Sequence, residues 1–267
     1  MGYRLIASDM DGTLVNSKAE LTQRTKDAII KTVEAGVLFI TATGRPLCNI
    51  EIVNSLFDAD MPFIVFNGSA AYMGKSKKKL FEVYLEHELA KEAFETGKKR
   101  GIPQIVWTGP RLWASHLCDE TLQYSKFSGA DMSVVNDLDD LKGEAEGISK
   151  VLWIEDPVKV KNLQREMSGH FGEKLNCFSS MPHFLEFLSC KADKGIALAE
   201  IGRLYGIDKS EMIAVGDGYN DVSMLEYAGF SVAMENAPDD IKSICDHVTL
   251  SNNDDGVAVL IEKYILA

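Results

Sequence analysis

Short apolar segments alternate with helix-like segments near the start of the chain, and this order restricts the possible folds more than any other feature. Residues 3–8, 37–43 and 62–66 are almost continuously apolar, as strands buried on both faces are. Residues 22–35 have helical spacing, and residues 46–56 begin with a proline, which is common in the first turn of a helix. The order strand, helix, strand, helix, strand predicts an α/β fold with a parallel sheet covered on both faces.

The pattern changes in the middle of the chain and then returns. From about residue 84 to residue 188 the sequence mixes helices with strands and contains all three tryptophans. The predicted helices there are 88–100, 119–128 and 157–171, and the predicted strands are 104–107, 150–154, 175–179 and 184–188. Afterwards come helices at 193–205, 221–228 and 254–265 and strands at 212–215 and 230–233. We therefore predict a core domain of residues 1–83 plus 189–267 and an inserted α+β domain of residues 84–188.

The composition limits which binding partners and which cellular compartment we expect. The 267 residues carry a formal net charge of −12, and an acidic surface repels nucleic acids and anionic membranes. No apolar stretch approaches the roughly 18 residues of a membrane helix. The five cysteines are odd in number and form no Cys-x-x-Cys pair, which disfavours a disulfide framework and a cysteine zinc site. We expect a cytoplasmic monomer with reduced thiols that binds neither nucleic acid nor membrane.

Two acids follow the first predicted strand. Asp9 and Asp11 belong to the sequence DMDGT, which leaves the strand and enters a glycine turn. Ligands of open α/β sheets bind at the carboxyl ends of the strands, where this turn lies. Carboxylates so close together repel each other unless a cation lies between them, and oxygen ligands suit a hard divalent ion. Taken alone, the segment predicts either a Mg²⁺ site or a solvated turn, and the three segments described next favour the Mg²⁺ site.

Three further segments place polar groups where a phosphate could bind. Residues 41–45, TATGR, end the second predicted strand and open a helix, whose free N–H groups attract anions. Lys194 begins the helix after the inserted segment, where a cation opposes the helix dipole, and this indicates a function. Lys191 is the alternative if the helix begins elsewhere. Residues 216–221, GDGYND, add two acids and an amide after a strand.

These four segments, in this order, resemble the haloacid dehalogenase superfamily of phosphatases. The most similar branch is the Cof type, which carries a large α/β cap between the second and third segments. Residues 233–237 (AMENA), 249–251 (TLS) and 255–257 (DGV) are also similar to that branch. The resemblance implies a Rossmann-like doubly wound parallel-sheet core with an inserted α+β cap domain. It also implies Mg²⁺-dependent hydrolysis of phosphate monoesters.

The resemblance assigns a role to each matching residue. Asp9 would be the nucleophile that forms an aspartyl-phosphate, and Asp11 would be the general acid and then the general base. Lys194 would neutralise charge on Asp9 and on the phosphate. Together with Asp9 and Asp11, Lys194 and Thr43 are the implied catalytic residues. The implied phosphate contacts are Met10 through its main chain, Thr43, Gly44, Lys194 and Asn220. The implied metal contacts are Asp9, Asp11 through its main-chain carbonyl, Asp217, and Asp221 either directly or through water.

The motifs do not define the leaving group of the substrate. The candidates to contact it are Arg45, Asn67 and Gly68 in the core and Arg111, Trp113 and His183 in the cap. We expect a small phosphate ester, such as a sugar phosphate or a phosphorylated cofactor. A phosphomutase, which keeps water away from the same aspartyl-phosphate, remains an alternative. A phosphometabolite-binding regulator without turnover is the other alternative.

Overall fold

The computed structural model describes residues 2–143 and 146–267. In this part of the chain the strands are β1 (Leu5–Ser8), β2 (Leu38–Ala42), β3 (Pro62–Val65), β4 (Ala70–Met73), β5 (Lys79–Glu82), β6 (Gln104–Thr108), β7 (Arg111–Ala114), β8 (Met132–Val134), β9 (Lys150–Ile154), β10 (Leu175–Met181), β11 (Phe184–Ser189), β12 (Met212–Gly216), β13 (Phe230–Ala233) and β14 (His247–Val248). The α-helices are α1 (Gln23–Glu34), α2 (Glu51–Asn54), α3 (His87–Lys99), α4 (Asp119–Ser128), α5 (Pro157–Phe171), α6 (Lys194–Tyr205), α7 (Val222–Tyr227), α8 (Asp239–Ile244) and α9 (Gly256–Tyr264).

The chain divides into two compact units. The first contains the chain up to Phe81 and again from Asp193, and the second is Glu82–Ala192. The sequence analysis placed the inserted segment at 84–188. Each unit has its own sheet and its own hydrophobic core.

The sheet of the first unit has the strand order β14-β13-β12-β1-β2-β3-β4-β5. Its strands run parallel from β14 to β3, and β4 returns antiparallel to β3. The central strands β1 and β12 are completely buried, which explains their continuous apolar sequences. The predicted parallel α/β core is confirmed, and β4 and β5 extend it at one edge.

The direction of chain progression reverses beside β1. The chain passes from β1 to β2 and β3 on one side, whereas β12, β13 and β14 follow one another on the other side. Loops that leave neighbouring strands toward opposite sides open a crevice at the carboxyl ends of those strands. This part of the sheet is therefore the expected ligand site.

Local capping signals set helix ends in the first unit. At the start of α1, the Thr22 hydroxyl accepts a hydrogen bond from the amide of Thr25. At the start of α6, the Asp193 carboxylate accepts a hydrogen bond from the amide of Ile196 at 2.7 Å. The Asp193 cap makes Lys194 the first residue of α6 and fixes the point from which its side chain extends.

The single helix predicted over residues 46–56 is wrong. The structure has a 3₁₀ turn, Leu47–Asn49, followed by the four-residue helix α2. No side chain caps the start of the 3₁₀ turn, and Ile50 lies between the two pieces with φ −93° and ψ −3°. That sparsely populated conformation interrupts the helix because it does not continue the regular hydrogen-bond pattern.

The second unit has a six-stranded sheet in the order β10-β11-β9-β6-β7-β8. Its strand pairs are antiparallel except β7 and β8, which are parallel. One face packs on helices α3 and α5 through a common core, in which the large members are Phe94, Trp153, Met167, Phe171 and Phe187. Strands β7 and β8 were not predicted. They are four and three residues long, too short to show a pattern of alternation.

Two further observations concern membrane-spanning helices and disulfide bonds. Within the described residues, no helix combines the length and the apolar character needed to span a membrane. Within the described residues none of the five cysteines, Cys48, Cys118, Cys177, Cys190 and Cys245, forms a disulfide.

Candidate active site

The predicted site segments leave adjacent strands at one level of the sheet. Ser8, the last residue of β1, pairs with Val215 of β12 on one side and with Thr41 of β2 on the other. The residues that follow these positions therefore emerge together at the carboxyl edge of the sheet. Asp9, Thr43 and Asp217 belong to these three loops.

A buried lysine is at the centre of this edge. The Nζ atom of Lys194 donates hydrogen bonds to Asp9 Oδ1 at 2.5 Å and to Asp221 Oδ1 at 2.6 Å. Lys194 and Asp221 are completely buried, and Asp9 is 5% exposed. Burial favours a lower lysine pKa, but the nearby Asp221 and Asp9 carboxylates outweigh it and raise the pKa of Lys194. Lys191, the alternative residue, is exposed.

Asp221 also fixes the shape of its own loop. Its Oδ2 atom accepts hydrogen bonds from the amides of Asp217 at 3.0 Å and Gly218 at 2.9 Å. Both oxygens of Asp221 therefore have donors, one from Lys194 and the other from the main chain. A residue held in this way can orient a metal-bound water more easily than it can bind an ion directly.

Asp217 connects this loop to the segment that follows β1. Its Oδ1 atom accepts a hydrogen bond from the Thr13 hydroxyl at 2.6 Å. Gly12 lies against the same carboxylate with φ +82°, so a side chain there would be strained and would collide with Asp217. Thr13 belongs to the first motif, DMDGT, but no function was predicted for it.

Three carboxylates of this site are close enough to share a cation. Asp9, Asp217 and Asp221 each offer an oxygen within 4.8 Å of the others. Burial raises the pKa of Asp9 well above its usual range, and Asp221 adds to this effect although Lys194 opposes it. Burial also raises the pKa of Asp217 to about 6, against the hydrogen bond from Thr13. Lys194 alone does not balance this charge, and an all-oxygen donor set of this kind fits Mg²⁺.

The Asp11 side chain lies outside this three-carboxylate cluster. Its oxygens accept hydrogen bonds from Arg45, with 2.9 Å between Nε and Oδ2 and 2.6 Å between Nη2 and Oδ1. The Asp11 side chain is 47% exposed and that of Arg45 is 19% exposed. Arg45 was predicted to contact the substrate, and this bidentate pair with Asp11 was not predicted. The predicted metal contact of Asp11, which uses its main-chain carbonyl, stays a prediction.

An adjoining group of amides combines Asn67, a predicted leaving-group contact, with the predicted phosphate contacts Gly44 and Asn220. Asn67 is buried with φ +53°, and its Oδ1 atom accepts a hydrogen bond from Asn220 Nδ2 at 2.9 Å. Its Nδ2 atom is buried and has no hydrogen-bond partner among the described residues. A Cβ atom at Gly44 would come within 2.9 Å of this Nδ2 atom, so a larger residue at position 44 would displace the Asn67 amide. An unpaired buried donor beside a glycine amide is an arrangement that an anion can satisfy.

Thr43 and Met10 support this group from the main chain. Thr43 is completely buried, its carbonyl accepts a hydrogen bond from the Asn67 amide at 2.9 Å, and its hydroxyl accepts one from the Arg45 amide at 3.0 Å. The Met10 side chain is buried, and its carbonyl accepts hydrogen bonds from the amides of Leu14 and Val15. These contacts determine the course of the loops after β1 and β2.

The remaining leaving-group candidates have local structural contacts. Gly68 packs against the main chain of Asp193 at the start of α6. In the second unit, Trp113 donates to the Thr108 hydroxyl at 2.9 Å and packs on the hydrophobic core. His183 lies 3.2 Å from the carbonyl of Glu155, and Arg111 is exposed on β7. Their assignment to a substrate stays a prediction.

Comparisons with known proteins identify the family of the chain. The sequence model of the haloacid dehalogenase-like hydrolases matches residues 6–261. The 5-amino-6-(5-phospho-D-ribitylamino)uracil phosphatase YwtE of Bacillus subtilis (strain 168) is 30% identical over 286 residues, which cover 98% of each chain. Phosphatase YwpJ of the same strain is 28% identical over 287 residues, which cover 98% of this chain and 100% of the relative.

A solved structure is similar to this chain over almost its whole length. The crystal structure of a haloacid dehalogenase-like hydrolase from Bacteroides thetaiotaomicron is similar with a TM-score of 0.83 and 30% identity, covering 98% of this chain and 99% of that one. The predicted Rossmann-like core with an inserted α+β domain is confirmed, and so is the predicted enzyme class, a phosphatase. The chain belongs to the haloacid dehalogenase-like hydrolases.

Proposed function

We propose that the protein hydrolyses phosphate monoesters of small metabolites, with Asp9 as nucleophile and Mg²⁺ as cofactor. The observation that carries the proposal is the buried cluster in which Lys194 joins Asp9 and Asp221, with Asp217 close by. Buried charges are unfavourable for folding, and perturbed carboxylates in a crevice at strand ends are typical of functional sites. Membership of a hydrolase family and relatives named phosphatases support the same reaction.

In the first step an oxygen of Asp9 attacks phosphorus, and the bond between phosphorus and the ester oxygen breaks. Asp11 donates a proton to that oxygen, so that the leaving group departs as an alcohol. Lys194, already hydrogen-bonded to Asp9, offsets the negative charge that nucleophile and phosphate bring together. The product of this step is an aspartyl-phosphate on Asp9.

In the second step a water molecule attacks the phosphorus of the aspartyl-phosphate. The Asp11 carboxylate accepts the proton of that water, and the bond between phosphorus and the Asp9 oxygen breaks. Inorganic phosphate leaves, Asp9 is again a carboxylate, and Asp11 again carries a proton. Each cycle therefore consumes one water and one ester and returns both acids to their initial states.

The phosphoryl oxygens would bind to the amides that surround Asp9. The unpaired Nδ2 atom of Asn67 is the donor that most needs such a partner. The proposed set consists of the main chain of Met10, Thr43, Gly44, Asn67, Lys194 and Asn220. Thr43, Asn67 and Lys194 are buried, which limits their motion, so little reorganisation would be needed when charge develops on the phosphoryl group.

The carboxylates beside Asp9 would hold Mg²⁺. Asp9 and Asp217 are the proposed side-chain ligands, Asp11 would contribute its main-chain carbonyl, and Asp221 would act through water because both its oxygens have donors. When bound, Mg²⁺ supplies positive charge against the phosphate dianion.

Arg45 would change partners during the reaction. In this structure its guanidinium holds the Asp11 carboxylate through two hydrogen bonds. A phosphate oxygen is an equally good partner for a guanidinium fork. Arg45 would therefore transfer to the substrate and release Asp11 for proton transfer.

The substrate class and the setting are part of the same proposal. The name of the relative YwtE states a phosphorylated ribitylamino compound as its substrate, which supports a sugar, polyol or cofactor phosphate here. The odd number of cysteines, without a Cys-x-x-Cys pair, and the charge of −12 support a monomer in the cytoplasm without nucleic acid partners.

The test is release of inorganic phosphate from a panel of sugar, polyol and cofactor phosphates, with and without Mg²⁺. We expect Mg²⁺-dependent turnover by the wild type and a loss of at least about 10³-fold in Asp9→Asn, since a neutral amide is a poor nucleophile. Asp131→Asn is the matched control because Asp131 is an exposed acid in the second unit. It should retain full activity.

The possible outcomes separate the alternatives. Turnover that survives in Asp9→Asn would refute the nucleophile assignment. Activity that appears only with a bisphosphate activator would favour a phosphomutase. Binding of esters without any phosphate release would favour a regulator.

A further inference from the structure

Asn236 contacts two parts of the site at once. It lies in the connection between β13 and α8, and its Nδ2 atom donates a hydrogen bond to the carbonyl of Gly12 at 2.8 Å. The same Nδ2 atom lies 3.4 Å from Asp217 Oδ2. Its Oδ1 atom accepts a hydrogen bond from the amide of Asn252 at 3.0 Å. Asn236 belongs to the segment AMENA, and no role was predicted for it from the sequence.

We propose that Asn236 is a positioning residue, which orients Asp217 and the Gly12 segment for cation binding. The proposal rests on the proposed function, because it assumes that Asp217 is a Mg²⁺ ligand. Thr13 donates to Oδ1 of Asp217 and Asn236 donates to Oδ2, so each carboxylate oxygen has one donor. Because the two donors belong to different loops, they restrict rotation of the Asp217 carboxylate about its side-chain bond.

The chemistry of an amide suits this position. A lysine or arginine at this position would neutralise Asp217 and compete with a cation for its oxygens. An amide donates a hydrogen bond without net charge, so the carboxylate keeps its negative charge and its remaining lone pairs. The residues that hold a ligand in this way strongly affect metal affinity.

The contact with Gly12 connects the same amide to the proposed acid. Gly12 directly follows Asp11, and its carbonyl is held by Asn236 at 2.8 Å. Asn252, which donates to Asn236, also donates through Nδ2 to the carbonyl of Val15 at 2.9 Å. Asn236 and Asn252 together hold the segment after β1 at both ends.

A purely structural tether is the competing explanation, and a neighbouring asparagine provides the comparison. Asn253 accepts a hydrogen bond from the amide of Ser17 at 3.0 Å, in the same segment. Its Oδ1 atom contacts only the main chain of that segment, five residues beyond Gly12, and within the described residues its side chain makes no hydrogen bond to Asp217. If a tether is all that matters, Asn236→Ala and Asn253→Ala should have similar effects.

The experiment measures Mg²⁺ binding directly by titration calorimetry and, in parallel, phosphate release against Mg²⁺ concentration. We expect Asn236→Ala to raise the Kd of Mg²⁺ and the half-saturating Mg²⁺ concentration about tenfold. At saturating Mg²⁺ the KM of the ester should change less than about twofold, and kcat should fall because the Gly12 segment is less ordered. Asn253→Ala should keep the Mg²⁺ affinity of the wild type within about twofold. Asn236→Ser, whose hydroxyl is too short to reach Asp217, should repeat the result if the alanine variant folds poorly.

The outcomes are distinguishable. A wild type without Mg²⁺ binding or Mg²⁺-dependent turnover would refute the proposed function itself. A wild type that binds Mg²⁺, together with folded Asn236 variants of unchanged Mg²⁺ affinity, would leave that function standing and overturn the role of Asn236. Equal losses of Mg²⁺ affinity in Asn236→Ala and Asn253→Ala would also overturn it, in favour of the tether.

Discussion

Each unit of the molecule contains a buried lysine paired with acid, and the two pairs differ in what surrounds them. In the first unit the completely buried Lys194 donates hydrogen bonds to Asp9 and Asp221. In the second unit Lys150 donates to Glu186 Oε1 at 2.8 Å, and the two side chains are 1% and 2% exposed. Burial and charge pairing alone therefore do not distinguish a reactive site from a structural pair.

The architecture of the two sheets explains the difference. Parallel strands β1, β2 and β12 end at one edge of their sheet, so their loops bring several acids and amides to a single place. Lys150 and Glu186 lie on the neighbouring antiparallel strands β9 and β11, where side chains pair across the ladder. The first arrangement gathers an excess of negative charge that a cation can balance. The amides beside it can bind a phosphate. The second gives a pair in which the lysine balances the carboxylate.

The largest expected effect is the loss of activity in Lys194→Met. Removal of the ammonium leaves Asp9 without the charge that offsets the approaching phosphate, and kcat/KM should fall about 10³- to 10⁵-fold. The measurement is phosphate release under saturating Mg²⁺. Far-UV circular dichroism of the variant must match the wild type, so that loss of fold is not mistaken for loss of chemistry. A variant with more than a tenth of the wild-type rate would contradict the role of Lys194.

The matched change in the second unit, Lys150→Met, should affect stability and not chemistry. It leaves Glu186 as a buried carboxylate without its lysine, which destabilises a fold by about 3–5 kcal/mol. The three tryptophans, Trp107, Trp113 and Trp153, lie in the second unit, so fluorescence during urea unfolding reports on that unit.

The double variant Lys150→Met/Glu186→Leu completes this test. Replacing both charges by apolar side chains of similar size should recover most of the lost free energy of unfolding. The activity of both variants below their unfolding transitions should stay within about threefold of the wild type. A large loss of activity in the folded double variant would show that the pair is more than structural.

The sequence predicted those helices of the second unit whose ends carry local signals. Helices α4 and α5 begin and end at the predicted residues. Asp156 caps α5 through the amide of Val158, Pro157 occupies its first turn, and Gly129 ends α4 in a left-handed conformation. These signals lie within a few residues of the helix ends, so they can be recognised without knowledge of the fold.

Features that depend on distant partners were not predicted. The Arg45–Asp11 pair joins residues 34 positions apart, and the Asn236–Gly12 hydrogen bond joins residues 224 positions apart. Helix α8 and strand β14 were also missed, because six and two residues give too little periodicity to detect. The motifs located the site loops, but only the folded chain defines which side chains touch.

The smallest effect concerns stability of the first unit, and it tests whether its carboxylates need a cation. Burial raises the pKa of Asp217 to about 6 from 3.8, so between these values the folded state binds a proton that the unfolded state has released. Without Mg²⁺, this carboxyl therefore makes stability fall as pH rises from about 4 to above 6. The contribution is at most about 3 kcal/mol.

Mg²⁺ should reverse this trend because it replaces the proton between the carboxylates. At ten times its Kd a ligand of the folded state adds about 1.4 kcal/mol, which corresponds to a few degrees in Tm. We expect this Mg²⁺-induced rise in Tm at pH 8 and a much smaller rise at pH 5, where protons compete for Asp217. Asp217→Asn is the control and should abolish most of the rise at both pH values. No comparable response is expected from the second unit, since Lys150 already balances Glu186. A rise in Tm of equal size at pH 5 and pH 8 would contradict the competition between Mg²⁺ and protons, and with it the view that the first unit carries an unbalanced negative charge.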